Sequence, residues 1–254
     1  MQNAVLVGLS RQVALGRQLD VIANNIANLN TAAFKADGAL FESYISPNAR
    51  AGDLSAQDSQ VDFVRDRATW IDWSQGAIQR TGNPLDVAIQ GNGFLAIDTA
   101  SGERYTRNGS LQINAQGQLV TAAGDPVLGD NGPIVFQPTD RGVTISKDGT
   151  ISVRTAGSNA EAARGHLRVV SFADPAQLQK VGNSYFAAPE GVTPDPDTTS
   201  TLQQGAVEKS NISAVLEMTH MMQVTRSYTE IASMLAQQDS LQQSSIDKLS
   251  EVPN

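Results

Sequence analysis

Two helix-like segments stand at opposite ends of this chain and enclose a long stretch of strand-like sequence. Residues 2–29 contain no proline, and residues 208–249 contain neither proline nor glycine. Apolar residues recur in both segments at spacings of three and four, the period of one helix face. Helices so far apart in sequence bury such faces only against each other or against other copies of the chain. The pattern therefore indicates assembly.

Each terminal segment carries one continuous apolar stripe. In the N-terminal segment the stripe consists of Leu15, Leu19, Ile22, Ile26 and Leu29. Small residues interrupt this helix and allow a second backbone to approach closely: Gly8, Ala14, Gly16, Ala23 and Ala27. In the C-terminal segment the stripe has coiled-coil spacing and consists of Met221, Val224, Tyr228, Ile231 and Leu235. We predict that this second helix begins near Glu208, with Ser210 and Asn211 as N-cap residues.

An asparagine-rich run closes the first stripe. Asn24, Asn25 and Asn28 place amide groups beside the apolar residues, where they can fix the register between helices. In the alternative interpretation, Asn28, Asn30 and Thr31 simply end the helix in a turn. The residues alone leave both interpretations open.

The middle of the chain has the punctuation of an antiparallel β domain. Short apolar groups alternate with turn signals such as Gly82-Asn83-Pro84 and Gly124-Asp125-Pro126. We predict strands at residues 85–89, 94–98, 111–114, 118–121, 143–146, 150–153 and 167–172, with tight hairpin turns at 115–117 and 147–149. Residues 46–60 read as a flexible loop or hairpin extension, and residues 189–201 as a polar linker without a strand.

Composition argues against several classes of function. The net charge of −8, without a Lys/Arg cluster, is unlike a nucleic-acid-binding surface. The chain has no cysteine for disulfides, thiolate catalysis or zinc–sulfur sites, and only two histidines for a metal site or triad. We expect Asp195 and Asp197 to lie in a solvated loop rather than to bind calcium. We therefore expect neither a catalytic site nor a metal site nor a cofactor, and no membrane span or cleaved signal peptide.

Three groups of motifs resemble those of the bacterial flagellar axial proteins, which form the rod and hook. Residues 22–35 (IANNIANLNTAAFK) resemble the N-terminal signature of that family, although Ala33 replaces the commoner glycine before Phe34. Residues 75–89, 91–94 and 105–109 resemble its central blocks. Residues 204–212 and 222–228 resemble its C-terminal signature. The resemblance thus covers both ends and the middle of the chain.

The resemblance implies a structural subunit of the flagellar rod rather than an enzyme. It implies export through the flagellar type III apparatus, a place in the rod that crosses the periplasm, and contacts with other copies and other rod proteins. The terminal helices would pair as an antiparallel coiled coil and form the inner tube, while a β domain of hairpins, barrel-like or sandwich-like, makes the outer wall. The tube would transmit torque and conduct exported subunits.

This interpretation divides the chain into 1–33 and 201–254 as the two halves of the inner-tube domain, 34–70 as a linker or extended hairpin, and 71–200 as the β domain. We expect subunit contacts at Leu15, Leu19, Ile22, Asn24, Asn25, Ile26, Asn28, Leu29, Thr31, Phe34, Met221, Val224, Tyr228, Ile231 and Leu235. Residues 4–14 resemble the start of the proximal-rod member of the family, and this resemblance favours a subunit of the proximal rod. The alternatives are a distal rod or other axial subunit, and, more remotely, a monomeric β-rich binding module with a helical stalk.

Overall fold

We describe the protein from a computed structural model, which covers residues 2–46, 61–155 and 161–250. The chain divides into two compact units. The terminal unit consists of Met1–Ala27, Asp37–Asp72 and Ser213–Asn254, and the β unit consists of Asn28–Ala36 and Trp73–Ile212. The predicted fold class, mainly β with antiparallel sheets and a helix at each end, is confirmed.

The first helix, α1, spans Gln2–Ala27 and ends at the asparagine-rich run. After it the backbone N–H of Thr31 donates to the carbonyl of Asn28 over 3.1 Å. Ala33 then adopts a φ of +54°, which L-residues other than glycine and asparagine rarely adopt. The interpretation of Asn28–Thr31 as a turn is therefore confirmed, and Leu29 lies beyond the helix.

The second helix, α2, spans Ala214–Ser250 and begins later than predicted. The predicted start near Glu208 is wrong, because Ala206–Glu208 is a strand paired with Ile78–Arg80. Ser210 and Asn211 are consequently too far from Ala214 to cap the helix, so the predicted N-cap is wrong as well. Strand pairing has overridden the local helical pattern here.

The two helices contact each other within the terminal unit. A Cβ atom added to Gly8 would lie 2.8 Å from Cδ2 of Leu235, so only a glycine allows this approach without movement of the leucine. A Cβ atom added to Gly16 would meet nothing within 4 Å. The two glycines of α1 therefore have different surroundings.

A two-stranded antiparallel hairpin completes the terminal unit. It consists of β1 (Asp37–Ser46) and β2 (Val61–Ile71), with a bulge between Leu40 and Phe41. Trp70 lies over Gly38, the residue opposite it in the pairing, and its indole is more than half exposed. The predicted loop at 46–60 lies, apart from Ser46, outside the described residues.

The β unit contains short strands joined by tight turns. They are β3 (Ile78–Arg80), β4 (Val87–Gln90), β5 (Phe94–Thr99), β6 (Gly102–Thr106), β7 (Leu111–Ile113), β8 (Leu119–Thr121), β9 (Leu128–Gly129), β10 (Gly132–Pro133), β11 (Asp140–Ile145), β12 (Thr150–Thr155), β13 (Glu161–His166), β14 (Val169–Ser171), β15 (Gln179–Lys180), β16 (Tyr185–Ala187), β17 (Asp195–Pro196), β18 (Thr201–Gln204) and β19 (Ala206–Glu208). A one-turn 3₁₀ helix, Pro175–Gln177, precedes β15.

The strands form one larger sheet and several small ones. The larger sheet has the order β15-β16-β6-β5-β14-β17, and a second sheet has the order β11-β12-β13. The pairs β18-β4 and β19-β3 bring the C-terminal part of the β unit against its beginning. Every pairing among the described strands is antiparallel.

The strand predictions are largely confirmed. The seven predicted ranges fall on β4, β5, β7, β8, β11, β12 and β14, with ends shifted by up to three residues. The two predicted hairpin turns join β7 to β8 and β11 to β12, with Gly117 and Gly149 at φ of +81° and +99°. The prediction of no strand at 189–201 is wrong, because β17 pairs with β14.

The core of the β unit combines an aliphatic cluster with an aromatic one. Trp73 lies edge-on to Phe94, with ring centroids 5.6 Å apart, and packs on Phe186 at 4.9 Å. The fully buried aliphatic residues include Val87, Ile89, Leu95, Ile97, Leu111, Leu119, Val127, Ile151 and Leu167. Burial of this surface favours folding by roughly 25 cal/mol per Å² of apolar area.

Candidate functional site

The segment that follows α1 is held by the β unit. We call residues 28–36 the docking segment; they contain the second half of the asparagine-rich motif. Within it, the hydroxyl of Thr31 donates to Oδ1 of Asn28 over 3.0 Å. The backbone N–H of Ala33, a buried residue, donates to the carbonyl of Glu208 over 2.8 Å. The docking segment thereby lies along β19, the strand that precedes α2.

A buried ion pair fixes the end of the docking segment. Nζ of Lys35 lies 2.7 Å from Oε1 of Glu208, and both side chains are fully excluded from solvent. Lys35 also donates to the carbonyl of Ser74 over 2.6 Å, and the backbone N–H of Gly76 donates to the same Glu208 oxygen over 2.9 Å. The two charges are thus satisfied by hydrogen bonds as well as by each other, which burial requires.

Arg107 supplies a second cation to the same carboxylate. Its Nε and Nη2 atoms lie 3.0 Å from Oε2 of Glu208, and its Nη1 donates to the carbonyl of Gly93 over 2.8 Å. The guanidinium also lies 5.7 Å from the centre of the Phe94 ring. We call Lys35, Arg107 and Glu208 the charge cluster. It links the docking segment, the loop after β6 and strand β19.

Lys180 holds the docking segment from another side. Its ammonium donates to the carbonyl of Lys35 over 2.5 Å and lies 4.1 Å from the centre of the Phe34 ring. Phe34 itself is buried. A cation over a desolvated aromatic face contributes about 1 kcal/mol or more. The ring is therefore fixed within the β unit, although the sequence indicated a subunit contact there.

Asn25 holds the exit of α1 within the terminal unit. Its Nδ2 donates to the carbonyl of Asp37 over 2.9 Å, and its Oδ1 accepts the N–H of Asp37 over 3.0 Å. The side chain is buried. The side-chain amide thus bonds both the N–H and the C=O of one residue, as a neighbouring β-strand would. These two bonds fix the position of β1 relative to α1.

The predicted helix contacts have different degrees of burial. Ile22 and Val224 are buried, as is Asn25. Asn24 and Met221 are exposed, while intermediate burial is found for Leu15, Leu19, Ile26, Asn28, Leu29, Thr31, Tyr228, Ile231 and Leu235. Part of each predicted stripe thus faces protein, and part remains accessible in the single chain.

Helix α1 carries a second apolar stripe besides the one predicted from the sequence. Leu6, Leu9 and Val13 recur at spacings of three and four, and Val13 is 66% exposed. They lie on the same helix as the predicted stripe, but their side chains are more exposed to solvent. Their spacing of three and four residues is visible in the sequence.

Helix α2 carries a matching accessible stripe. Val215, Met218 and Met222 also recur at three and four, with exposures of 75%, 53% and 65%. We call these six residues of α1 and α2 the outer stripes. Exposed apolar residues that recur along one helix face are typical of surfaces that contact other proteins.

The sequence could not reveal the partners in the charge cluster. Lys35 was visible as a motif residue, but Glu208 lies 173 residues later. Neither the position of Glu208 in a strand nor the role of Arg107 follows from a local pattern. Lys180 was likewise missed, and no signal near it indicates Phe34 as its partner.

The histidine and acidic side chains of the described residues are scattered. Among them, no group of three His, Asp or Glu side chains is arranged to hold a metal ion. His166 lies beside a cleft of about 410 Å³, with Nδ1 3.0 Å from Oδ2 of Asp130. His220 is exposed on α2. Over the described part of the chain, neither helix has the length and apolar character that crossing a bilayer requires.

Asp197 shapes a turn. Burial raises the pKa of its carboxyl, but hydrogen bonds from Ser200 and Thr199 outweigh this effect, so the pKa lies below its usual range. Its Oδ1 accepts the backbone N–H groups of Thr199 and Ser200 over 2.8 and 3.1 Å. The carboxylate thus stabilises the turn between β17 and β18.

Family profiles match the chain at three places. Residues 6–35 match the family described as flagella basal body rod protein. Residues 88–153 match the flagellar hook protein FlgE/F/G D1 domain, and residues 203–248 match the C-terminal part of the flagellar basal body rod FlgEFG proteins. The first match includes residues 28–35 of the docking segment, and the third includes Glu208.

Relatives match over nearly the whole chain. The flagellar basal-body rod protein FlgF of Caulobacter vibrioides is 36% identical over 253 residues, which cover 99% of this chain and 100% of the relative. The FlgF protein of Mesorhizobium japonicum is 34% identical, with 93% of each chain covered. The flagellar basal-body rod protein FlgG of Bacillus subtilis is 30% identical, over 96% of this chain and 97% of the relative.

Proposed function

Since this chain belongs to the flagellar basal-body rod proteins, and among them to the FlgF group, we propose that it builds the proximal rod by packing its terminal helices against those of neighbouring subunits. Its role as a structural subunit of the basal body follows from the family. The proposal adds how the subunit assembles and where. We further propose that it performs this role without catalysis.

The outer stripes carry this proposal. A helix pair that is complete in itself needs one apolar stripe on each helix, whereas an assembling pair needs a second face. Val13 and Met222 remain largely exposed although α1 and α2 contact each other. Covering such surface on assembly yields roughly 25 cal/mol per Å², which is a driving force for association. The same surface argues against a monomeric binding module on a closed stalk.

We propose an antiparallel coiled coil for α1 and α2. The approach of Gly8 to Leu235 and the three-and-four spacing of the two stripes predicted from the sequence, which run from Leu15 to Leu29 and from Met221 to Leu235, support it. In the assembled rod the subunit contacts would comprise the outer stripes together with the accessible members of the predicted set, such as Asn24 and Met221. The β unit, proposed to be barrel-like or sandwich-like, would form the outer wall.

The helical tube would transmit torque and leave a central path for exported subunits. Its partners would be further copies and the neighbouring rod proteins. We propose export through the flagellar type III apparatus and a location in the periplasm. These points extend the family assignment and rest on it.

A distal rod role is the second candidate, because several relatives are FlgG proteins at 30–33% identity. The two FlgF relatives described above are 36% and 34% identical, and this difference favours the proximal rod. The order in which this protein and the distal rod protein appear in basal bodies would separate the two roles.

Complementation tests the proposed assembly. In a strain that lacks its own copy, Val13→Asp or Met222→Asp should abolish incorporation into isolated basal bodies and abolish motility, because each places a charge on an outer stripe. Val181→Asp is the matched control, since Val181 is an exposed valine of the β unit. Circular dichroism of the purified variants establishes that they fold. Normal incorporation of both outer-stripe variants would refute the proposal.

A further inference from the structure

Asn211 binds two other segments at points where the chain leaves the β unit. The chain passes between the two units at residues 27–28, 36–37, 72–73 and 212–213. Oδ1 of Asn211 accepts the backbone N–H of Ala36 over 2.8 Å. Nδ2 of Asn211 donates to the carbonyl and hydroxyl oxygens of Ser74 over 3.2 and 3.1 Å. Ala36, Ser74 and Asn211 each lie within two residues of a different passage.

Further hydrogen bonds join the same passages. Nζ of Lys35 donates to the Ser74 carbonyl over 2.6 Å, so this carbonyl accepts from two side chains. The backbone N–H of Asn211 donates to the carbonyl of Phe34 over 3.3 Å. We call Lys35, Ala36, Ser74 and Asn211 the exit collar. All four belong to the β unit.

The exit collar changes how the β unit can come apart. A chain that leaves a fold without cross-contacts frays from its exit, one residue after another, at little cost per step. Where three passages are hydrogen-bonded to one another, an opening at one passage breaks contacts that also involve the other two.

We propose that the exit collar shares mechanical load among three passages of the chain and so protects the docking segment from being peeled off β19. This inference rests on the proposed function, because only a rod subunit experiences torque between its units. The covalent passages carry that torque into and out of the β unit. Asn211 is then a positioning residue for the exits, and its loss should weaken the subunit under load while leaving the charge cluster intact.

Hydrogen exchange of the free full-length protein is the first test. Asn211→Ala should raise the exchange rate of the Ala36 amide about tenfold, whereas the Ala33 amide, bonded to the Glu208 carbonyl, should change much less. Asn211→Asp keeps an acceptor for Ala36 and should restore most of the protection. Asn114→Ala is the matched control, because Oδ1 of Asn114 accepts two backbone N–H groups in the β7–β8 turn.

Motility under load is the second test. Cells with Asn211→Ala should build basal bodies but shed several times more hooks and filaments than wild type in viscous medium, and Asn114→Ala cells should not. If Asn211→Ala and Asn114→Ala behave alike in both tests, the proposed role of the exit collar is refuted. If Asn211→Ala forms no rods, the hydrogen-exchange result alone decides. Absence of the wild-type protein from basal bodies would instead refute the proposed function.

Discussion

Lys35 and Glu208 form an ion pair of 2.7 Å in which neither side chain is accessible to solvent. Lys35 lies in the docking segment, which follows α1. Glu208 is the last residue of β19, and five residues separate it from the start of α2. The pair thus joins the N-terminal and C-terminal segments of the chain within the β unit. The predictions below concern this ion pair and the two helices, which precede Lys35 and follow Glu208 in the sequence.

Removal of the Lys35 charge should destabilise the β unit strongly. Lys35→Met leaves Glu208 buried with one cation fewer, and breaking such a pair costs about 3–5 kcal/mol. Arg168→Met is the control, because the Arg168–Glu103 pair is one-third exposed and should cost less than about 1 kcal/mol. Urea unfolding followed by Trp73 fluorescence, in a Trp70→Phe background, measures both. If both variants lost the same free energy of unfolding, burial of the Lys35–Glu208 pair would not make it more important for stability than an exposed pair.

Ala33 should tolerate glycine but not valine. Its φ of +54° costs an alanine about 1–2 kcal/mol, which Ala33→Gly recovers while losing a buried methyl group of about 0.8 kcal/mol. Ala33→Val adds a β-branched side chain to the same conformation and to a buried site. We expect the free energy of unfolding to change by less than about 1 kcal/mol for glycine and to fall by more than about 2 kcal/mol for valine. A well-tolerated valine would contradict the turn described for the docking segment.

The two glycines of α1 should respond differently to alanine. Gly16→Ala should stabilise the helix by about 0.5–1 kcal/mol, because nothing obstructs the new methyl group. Gly8→Ala should gain little or lose stability, since its methyl group would meet Leu235. Combining Gly8→Ala with Leu235→Ala should recover the helical gain at that position. Thermal melting by far-UV circular dichroism measures these three variants and Leu235→Ala alone; an identical gain at both glycines would mean that α1 and α2 do not pack at Gly8.

The β unit should lose stability at high pH. Burial raises the pKa of Tyr185 to about 12, and burial together with the hydrogen bond to Glu103 raises that of Tyr105 to about 12, from 10.0. The folded state keeps these protons where the unfolded chain has released them. The two tyrosines therefore leave the free energy of unfolding unchanged below about pH 10 and lower it as the pH rises towards 12.

Tyrosinate absorbance and circular dichroism, recorded together, check this pH dependence. Part of the tyrosine signal should appear late and together with unfolding. In Tyr185→Phe this late part should shrink, whereas in Tyr228→Phe, a change on α2, it should remain. A single titration near pH 10 without unfolding would contradict the buried positions of Tyr105 and Tyr185.

Local patterns predicted the elements better than their connections. Turn glycines such as Gly117 and Gly149 marked the hairpins, because only glycine adopts those φ values cheaply. The start of α2 was misplaced because Glu208 joins a strand through pairing with Ile78, a residue 130 positions away. The sequence indicated Leu9 and Val13 as apolar residues of the first helix, whereas their exposure, together with that of Leu6, follows from how α1 packs.

The candidate site was predicted only in part, because local patterns do not show which distant residues come together. Asn25, Phe34 and Lys35 were recognisable as motif residues, but their partners depend on tertiary structure. Phe34 stays a predicted subunit contact, and within the single chain its ring lies buried beside Lys180. The motif thus identifies residues of the candidate site, whereas their bonding partners are seen only in the structure.

Cysteine accessibility tests most directly whether the outer stripes are the assembly surface. The chain has no cysteine of its own, so single cysteines at Val13, Met222 and, as a buried control, Val224 report cleanly. The account predicts that Val13→Cys and Met222→Cys react with a maleimide in the free protein and become protected in isolated basal bodies, while Val224→Cys reacts in neither. Equal reactivity of the Val13 and Met222 positions before and after assembly would contradict it.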